Sequence, residues 1–265
     1  ITKINANARF LNRNLDTNTA NDIFTSLAAT NPVAANGGGD GDTIEEIRQN
    51  SMMNFSTQLR NVTQDDYLVR AMSLPAKYGN IAKAFIESTK IKNLSAGESN
   101  SILDLYILTF DVNRNLTSAS SALKQNLITY LSQYRMLNDS INIKDAYVIN
   151  IGVSFDIIVL PNYVSTDVIA RCIGTLQTFF NVSNWQINQP IILRDIYILL
   201  DRIEGVQTVK IVEITNLVGE DLGYSKYAYS IPAATSANVI YPSLDPSIFE
   251  VKYPNSDIKG KVVSF

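Results

Sequence analysis

Residues 146–160, AYVINIGVSFDIIVL, constrain the fold more than any other stretch of the chain. This is the longest apolar candidate, yet it falls short of the roughly 20 residues that cross a bilayer, and it carries Asn150 and Asp156. Apolar and polar residues alternate along it as in a strand, and Pro161 closes it. Its partners are sought on both sides. Upstream, the turn Tyr78-Gly79-Asn80 leads into IAKAFIESTKI, then a loop NLSAGESNS, then ILDLYILTFDV (102–112), which together predict an antiparallel hairpin with a long connection. Downstream, VQTVKIVEITNL reads as a further strand. The last residues, IFEVKYP-NSD-IKGKVVSF, read as a terminal hairpin that adds an edge to the sheet.

Between these lie amphipathic segments with start and stop signals. Thr43 with Glu46, and Thr63 with Asp66, have the spacing of capping boxes, in which hydroxyl and carboxylate each satisfy a free N–H of the first helical turn. Ile44, Ile47, Ser51, Phe55 and Leu59 follow the first at helical spacing and predict a core-facing stripe; Pro75 stops the second. Thr117 is expected to cap a helix with Leu116, Ser120, Leu123, Leu127, Leu131 and Tyr134 on one side. Ser165 or Thr166 caps another, with Ile169, Ile173, Leu176 and Phe180 inward, and Pro190 opens a third that ends at Gly205. This order implies an α+β fold, a short helical region followed by a mostly antiparallel sheet with helices packed on one face. Residues 1–36, with a short helical candidate TANDIFTSLAAT, read as an arm or the tail of a preceding domain; 37–80 as a glycine hinge plus two short helices; 81–222 as the α+β domain; 223–265 as a Tyr/Pro-rich C-terminal segment. The start at Ile1 rather than Met implies a longer natural protein.

Composition narrows the chemistry. The 265 residues contain 22 Lys plus Arg against 25 acids, and no long basic run, so the electrostatic footprint of a nucleic-acid binder is missing. No histidine occurs anywhere, which removes Ser-His and Cys-His catalysis and histidine-ligated zinc from these residues. Cys172 stands alone, so no disulfide framework exists within the chain, which fits folding inside a cell; in its apolar helical pattern the thiol reads as buried and inert. Asn54, Asn61, Asn93, Asn115, Asn138 and Asn181 each begin an N-x-Ser/Thr triplet, as chance provides in a chain rich in these residues.

The candidate motifs are each outweighed by a plainer reading. NGGGDGDTIEEIRQN lacks the Lys-Ser/Thr of a phosphate loop, has no strand before it, and opens its helix with acids that would repel phosphate; it reads as a hinge ahead of a helix. The neighbours Asp65-Asp66 and Glu45-Glu46 would point about 100° apart on a helix, which suits first-turn capping and not acid–base work. Trp185 with Phe179-Phe180 is either a stacking platform or core packing. Tyr224, Tyr227 and Tyr229 suit a surface half buried and half wet, for protein or for sugar. No catalytic, cofactor-binding or metal-binding residue is assigned, and no cofactor is expected.

GGGDGDTIEEIRQN…MNFSTQLRNVTQDDYLVRAM resembles the signature of baseplate J-like proteins from contractile phage tails, with Arg60, Val62, Thr63, Asp66 and Tyr67 matching its Arg-x-Val-Thr-x-x-Asp-Tyr element. NWQINQPIILRDIYILLDRIEGVQTVKIVEI is similar to the family's C-terminal pattern, a helix ending in Gly-Val, here Gly205-Val206, before a strand. The likeness runs from about Gly37 to Leu217 and is to the C-terminal part of the wedge subunits of T4-like tails; the tyrosine-rich tail after Gly223 matches no family element. It implies a non-enzymatic structural protein of the virion's tail baseplate, assembled in the host cytoplasm. Its implied partners are a second copy, as a homodimer, and other baseplate wedge subunits, with no nucleic acid and no membrane insertion. A carbohydrate- or host-receptor-binding module built on the C-terminal tyrosines is the alternative, and a carboxylate hydrolase ranks last.

Overall fold

A computed structural model describes residues 60–90, 101–136 and 139–264, together with Ile44, Arg48 and Ser51 as single helical positions. The chain divides after Ala35, and every described residue lies on the C-terminal side of that division. The expected TANDIFTSLAAT helix, the glycine hinge and the Thr43–Glu46 capping box fall outside the described residues. Ile44 is helical but 77% exposed, and Ser51 is exposed too, so the predicted stripe does not face a core at these two positions.

The first core assembles around one capped helix. α1 (Gln64–Met72) starts at Thr63 as expected: Thr63 Oγ1 accepts from Asp66 N at 3.2 Å, while Asp66 Oδ2 accepts from Thr63 N at 2.8 Å and Val62 N at 3.0 Å. Burial pushes the Asp66 carboxyl up, and these backbone N–H donors more than reverse it, holding the carboxyl below its ordinary range. Tyr67 then points inward, 1% exposed. β1 (Lys83–Lys90) and β2 (Ser101–Phe110) form the predicted antiparallel pair. β2 is buried on both faces: Leu103, Leu105 and Ile107 meet Tyr67 and Ala71, whereas Leu108 belongs to the second core. Asn61, three residues before α1, is wholly buried, with neither atom of its side-chain amide hydrogen-bonded. Its triplet therefore cannot carry a glycan in the folded chain.

One sequence expectation shifts here because strand pairing competes with helix extension. Leu116–Thr117 pairs with the end of β2 as β3, so Thr117 is drawn into a sheet and Ser120 becomes the cap, accepting from Leu123 N at 3.2 Å. α2 (Ser121–Ser132) then buries Leu123, Leu127 and Leu131. Fully burying each contributes roughly 1.5–3 kcal/mol. β4 (Asp139–Asp145), a strand the sequence reading did not contain, runs parallel to β2 over Ser101–Ile107. Its polar sequence DSINIKD hides it; Ile141 and Ile143 pack on the first core, and Asp139 Oδ2 accepts from the Tyr67 hydroxyl at 2.7 Å.

The second core is organised by β5 (Tyr147–Val159), the alternating run singled out above. β7 (Val206–Asn216) pairs with it antiparallel over Ile151–Val159. The expected terminal hairpin does not form. β10 (Ser247–Glu250) and β11 (Ile258–Val262) each lie parallel to β5, at Tyr147–Asn150 and Val153–Ile157, separated by a one-turn helix α6 (Pro254–Asp257). The outer N–H groups of β7 are covered from α4 (Leu193–Asp201): Val209 N donates to Asp201 Oδ1 at 3.2 Å and Val212 N to the Tyr197 hydroxyl at 3.0 Å.

α3 (Ser165–Phe179) begins at Val164 with no side-chain cap, so neither Ser165 nor Thr166 plays the expected part. It buries Val168, Cys172 and Leu176, and Phe180 follows them inward; Leu176 and Phe180 are as predicted, while Val168 and Cys172 take the fully buried places expected of Ile169 and Ile173, which are half-buried beside them. Pro190 does not open α4, because Ile191–Ile192 first pairs as β6 with β9 (Val239–Ile240). A small third sheet results, completed by β8 (Thr235–Ser236) after the one-turn helix α5 (Ile231–Ala234). Gly205 turns the chain into β7 at φ +96°, where a Cβ would also stand 2.8 Å from Val168 Cγ2. Conformation and space both require glycine there.

The protein is thus α+β, as the order of elements predicts. Among the described residues its strands form two four-stranded sheets and one three-stranded sheet, with five antiparallel and three parallel ladders.

Candidate functional site

The acidic pairs resolve first. Asp66 is spent on its capping box, so Asp65-Asp66 does not form an acid–base pair; Glu45-Glu46 lies outside the described residues. Cys172 is 0% exposed, and burial pushes its thiol up to about 11, which leaves it protonated and unreactive at neutral pH. Among the described residues no cluster of three or more Asp, Glu or Cys side chains is arranged to hold a metal ion.

The aromatic trio is packing with one exposed edge. Trp185 stacks on Phe180, ring centroids 5.5 Å apart at 9°, and both are buried. Phe179 meets Trp185 edge-on at 5.7 Å, and Trp185 Nε1 donates to the Phe179 carbonyl at 2.9 Å, so the indole's polar end is satisfied internally. The outer side of this cluster floors a groove of about 780 Å³ between α3 and α4. Phe179, Trp185, Leu199 and Ile203 supply its apolar surface, with Arg171 and Asp195 also on its walls.

Tyr224 and Tyr229 are tied to the fold through their hydroxyls, and Tyr227 through a ring contact. The Tyr224 hydroxyl donates to Asp257 Oδ1 at 2.7 Å, and burial together with that bond pushes it up to about 12. Tyr227 sits edge-on to Tyr147 at 4.6 Å, and the Tyr229 hydroxyl donates to the Tyr241 carbonyl at 2.7 Å. Their hydroxyls and rings pin residues 224–229 to the second core. Of the three, Tyr227 keeps a substantial exposure, 40%.

What the sequence reading lacks is a buried polar chain crossing the β5 sheet. Glu250, 1% exposed, uses both carboxylate oxygens as acceptors: Oε1 from Leu116 N at 2.7 Å, Oε2 from Asn150 Nδ2 at 2.9 Å. Asn150, also 1% exposed, accepts through Oδ1 from Ser225 N at 2.7 Å. Its carbonyl accepts from Leu217 N and from Asn216 Nδ2, and Asn216 Oδ1 accepts from Tyr229 N at 2.8 Å. One relay thus ties the first sheet at Leu116, the central strand, and the tyrosine segment. Burial pushes the Glu250 carboxyl up to about 7 against the pull of its two donors. The only sequence signal for it is Asn150 itself, a polar residue inside the most apolar strand.

Lys83 makes a second crossing between the two cores, its Nζ donating to the Ser183 carbonyl at 3.2 Å from a side chain 6% exposed.

No protein-family model and no curated protein matches the chain. Among solved structures, a chain of the anti-feeding prophage baseplate, seen by cryo-electron microscopy with six-fold symmetrisation, is similar at 15% identity over 66% of this chain, with a TM-score of 0.45. The similarity spans 38% of that chain's length.

Proposed function

We propose that the chain is a structural, non-enzymatic subunit of a contractile-tail baseplate wedge. It joins a second copy of itself and other wedge subunits into the ring that rearranges when the tail contracts, and its place is the virion. The observation that carries this reading is the division of labour within residues 60–67, where the family resemblance is densest. Thr63, Asp66 and Tyr67 build and seat α1, which accounts for them by folding alone. Arg60 and Val62 are exposed, Val62 by 65%, so the same short element also presents side chains outward. An exposed Val beside an Arg suits a protein contact, where apolar and guanidinium groups are favoured. The apolar groove between α3 and α4 offers a second such surface.

Self-pairing of identical copies by default uses one self-complementary patch and needs about 1,000 Å² or more of buried surface. Size-exclusion chromatography with light scattering is expected to give a dimer, and a strict monomer at high concentration would remove self-pairing. Val62→Asp together with Arg60→Glu is expected to leave the fold intact and abolish incorporation into baseplates in a complementation assay. Normal incorporation of the folded double variant would remove this surface from the reading.

A further inference from the structure

The Glu250 relay contains a proton-dependent choice, and it is independent of the assembly role above. Both carboxylate oxygens now act as acceptors, one for Leu116 N–H and one for the Asn150 amide. Protonation turns one of those oxygens into an O–H donor that accepts more weakly than a carboxylate oxygen, so the two bonds are no longer equivalent. The Leu116 backbone N–H cannot turn round. The Asn150 amide can, by rotating so that its Oδ1 takes the new O–H, but Oδ1 is the acceptor that holds Ser225 N at 2.7 Å. Turning it replaces that acceptor with an NH2 facing an N–H. In a buried network an unpaired donor is costly, and the segment carrying it is the one that yields.

We propose that residue 250 is a proton-operated latch: its carboxylate holds the tyrosine-bearing segment around Ser225 against the sheet, and its protonation turns Asn150 and releases that segment. The charged groups acting on Glu250 are Lys252, which follows β10 and favours the carboxylate, and Asp111, in the turn after β2, which opposes it. Asp111 is itself committed to its own turn, accepting from Asn113 N and Asn115 N at 2.8 Å. β5 and β3 contribute the neutral Asn150 amide and Leu116 N–H, and the segment after β7 contributes the Ser225 N–H. The burial that lifts the carboxyl to about 7 puts the change near neutral pH. Release would free Tyr227, already the most exposed of the three tyrosines discussed, from Tyr147.

Amide exchange read residue by residue by NMR, divided by the intrinsic rate at each pH, tests the latch on the intact chain. Between pH 8.5 and pH 5.5 the protection of Ser225 N–H is expected to fall about tenfold, while Leu116 N–H keeps its protection because one oxygen still accepts from it. In Glu250→Gln the side-chain NH2 stands where the O–H would, so Ser225 is expected to exchange fast at both pH values. If that variant does not fold, the wild-type pH series decides alone. Ser225 protection that is unchanged or higher at pH 5.5, or equal loss at Leu116 and Ser225, overturns the proposal.

Discussion

The two cores of this chain use carboxylates in opposite ways. In the first, Asp66 sits at the start of α1 with two backbone N–H groups pointing at it, and its charge is favoured. In the second, Glu250 is enclosed among β10, β5 and β3, and the same kind of donors only partly offset the loss of water. The first arrangement is local, spanning the five residues 62–66; the second joins positions 134 and 100 residues apart. A carboxylate near its own helix terminus stabilises one element. A carboxylate buried between distant elements instead specifies which elements meet, at a cost in desolvation.

The largest test of this contrast asks whether the cores fold as one. Phe155→Ala, at the centre of β5 where Gly260 packs closely against the ring, is expected to cost about 4 kcal/mol. Denaturant transitions followed by the fluorescence of Trp185, the chain's single tryptophan, and by far-UV circular dichroism are expected to coincide. Leu108 and Leu116 from the first sheet are part of the second core, which is why. Two separated transitions would mean the cores are independent and the Glu250 relay ties nothing that matters.

Next in size is pH. Because the folded-state value of Glu250 lies above the unfolded one, the folded chain holds the extra proton. Stability is therefore greatest below about 4.5 for this group and is lost as pH rises to about 7, by on the order of 3 kcal/mol. Glu250→Gln is expected to flatten that slope in urea titrations at pH 5 and pH 8, and an unchanged slope would assign it to another group. Global stability and local protection at Ser225 should then move in opposite directions on acidification, a pairing that no simple acid unfolding produces. Asp66 has the opposite sign: its contribution is present above the unfolded value of about 3.8 and fades below it.

Smaller effects belong to the first core. Asn61→Leu removes a buried amide without partners and is expected to raise stability by roughly 1–2 kcal/mol; a loss would show that the amide has a role the fold alone does not explain. Asp66→Ala is expected to cost about 1 kcal/mol through the cap, measured by thermal melting. A cost comparable to that of Phe155→Ala would mean that the capping box organises far more than one helix.

How much of this is legible in the sequence follows the same division. Short-range devices are: the Thr63–Asp66 box, the β1–β2 pair, the β5 run and the Gly205 turn each lie within a few residues of their cause. Long-range choices are not. β4 is written in polar residues because only one side of it packs, and IFEVKYP and IKGKVVSF look like a hairpin although both strands are captured by β5. Glu250 looks solvent-facing in its alternating stretch until β10 is placed inside, where all four of its residues are buried. The tyrosines read as surface because the residues that engage their hydroxyls, Asp257 and Tyr241, are a dozen or more positions away.

The helix beside β7 has one more implication. Strand borders with free amides invite other chains to add on without limit, the route by which sheets grow into fibres. Tyr197 and Asp201 occupy two of those amides, so the part of this border around Val209 and Val212 offers less to backbone zippering. A neighbouring chain that meets this stretch finds a tyrosine and an aspartate where two bare amides would otherwise stand.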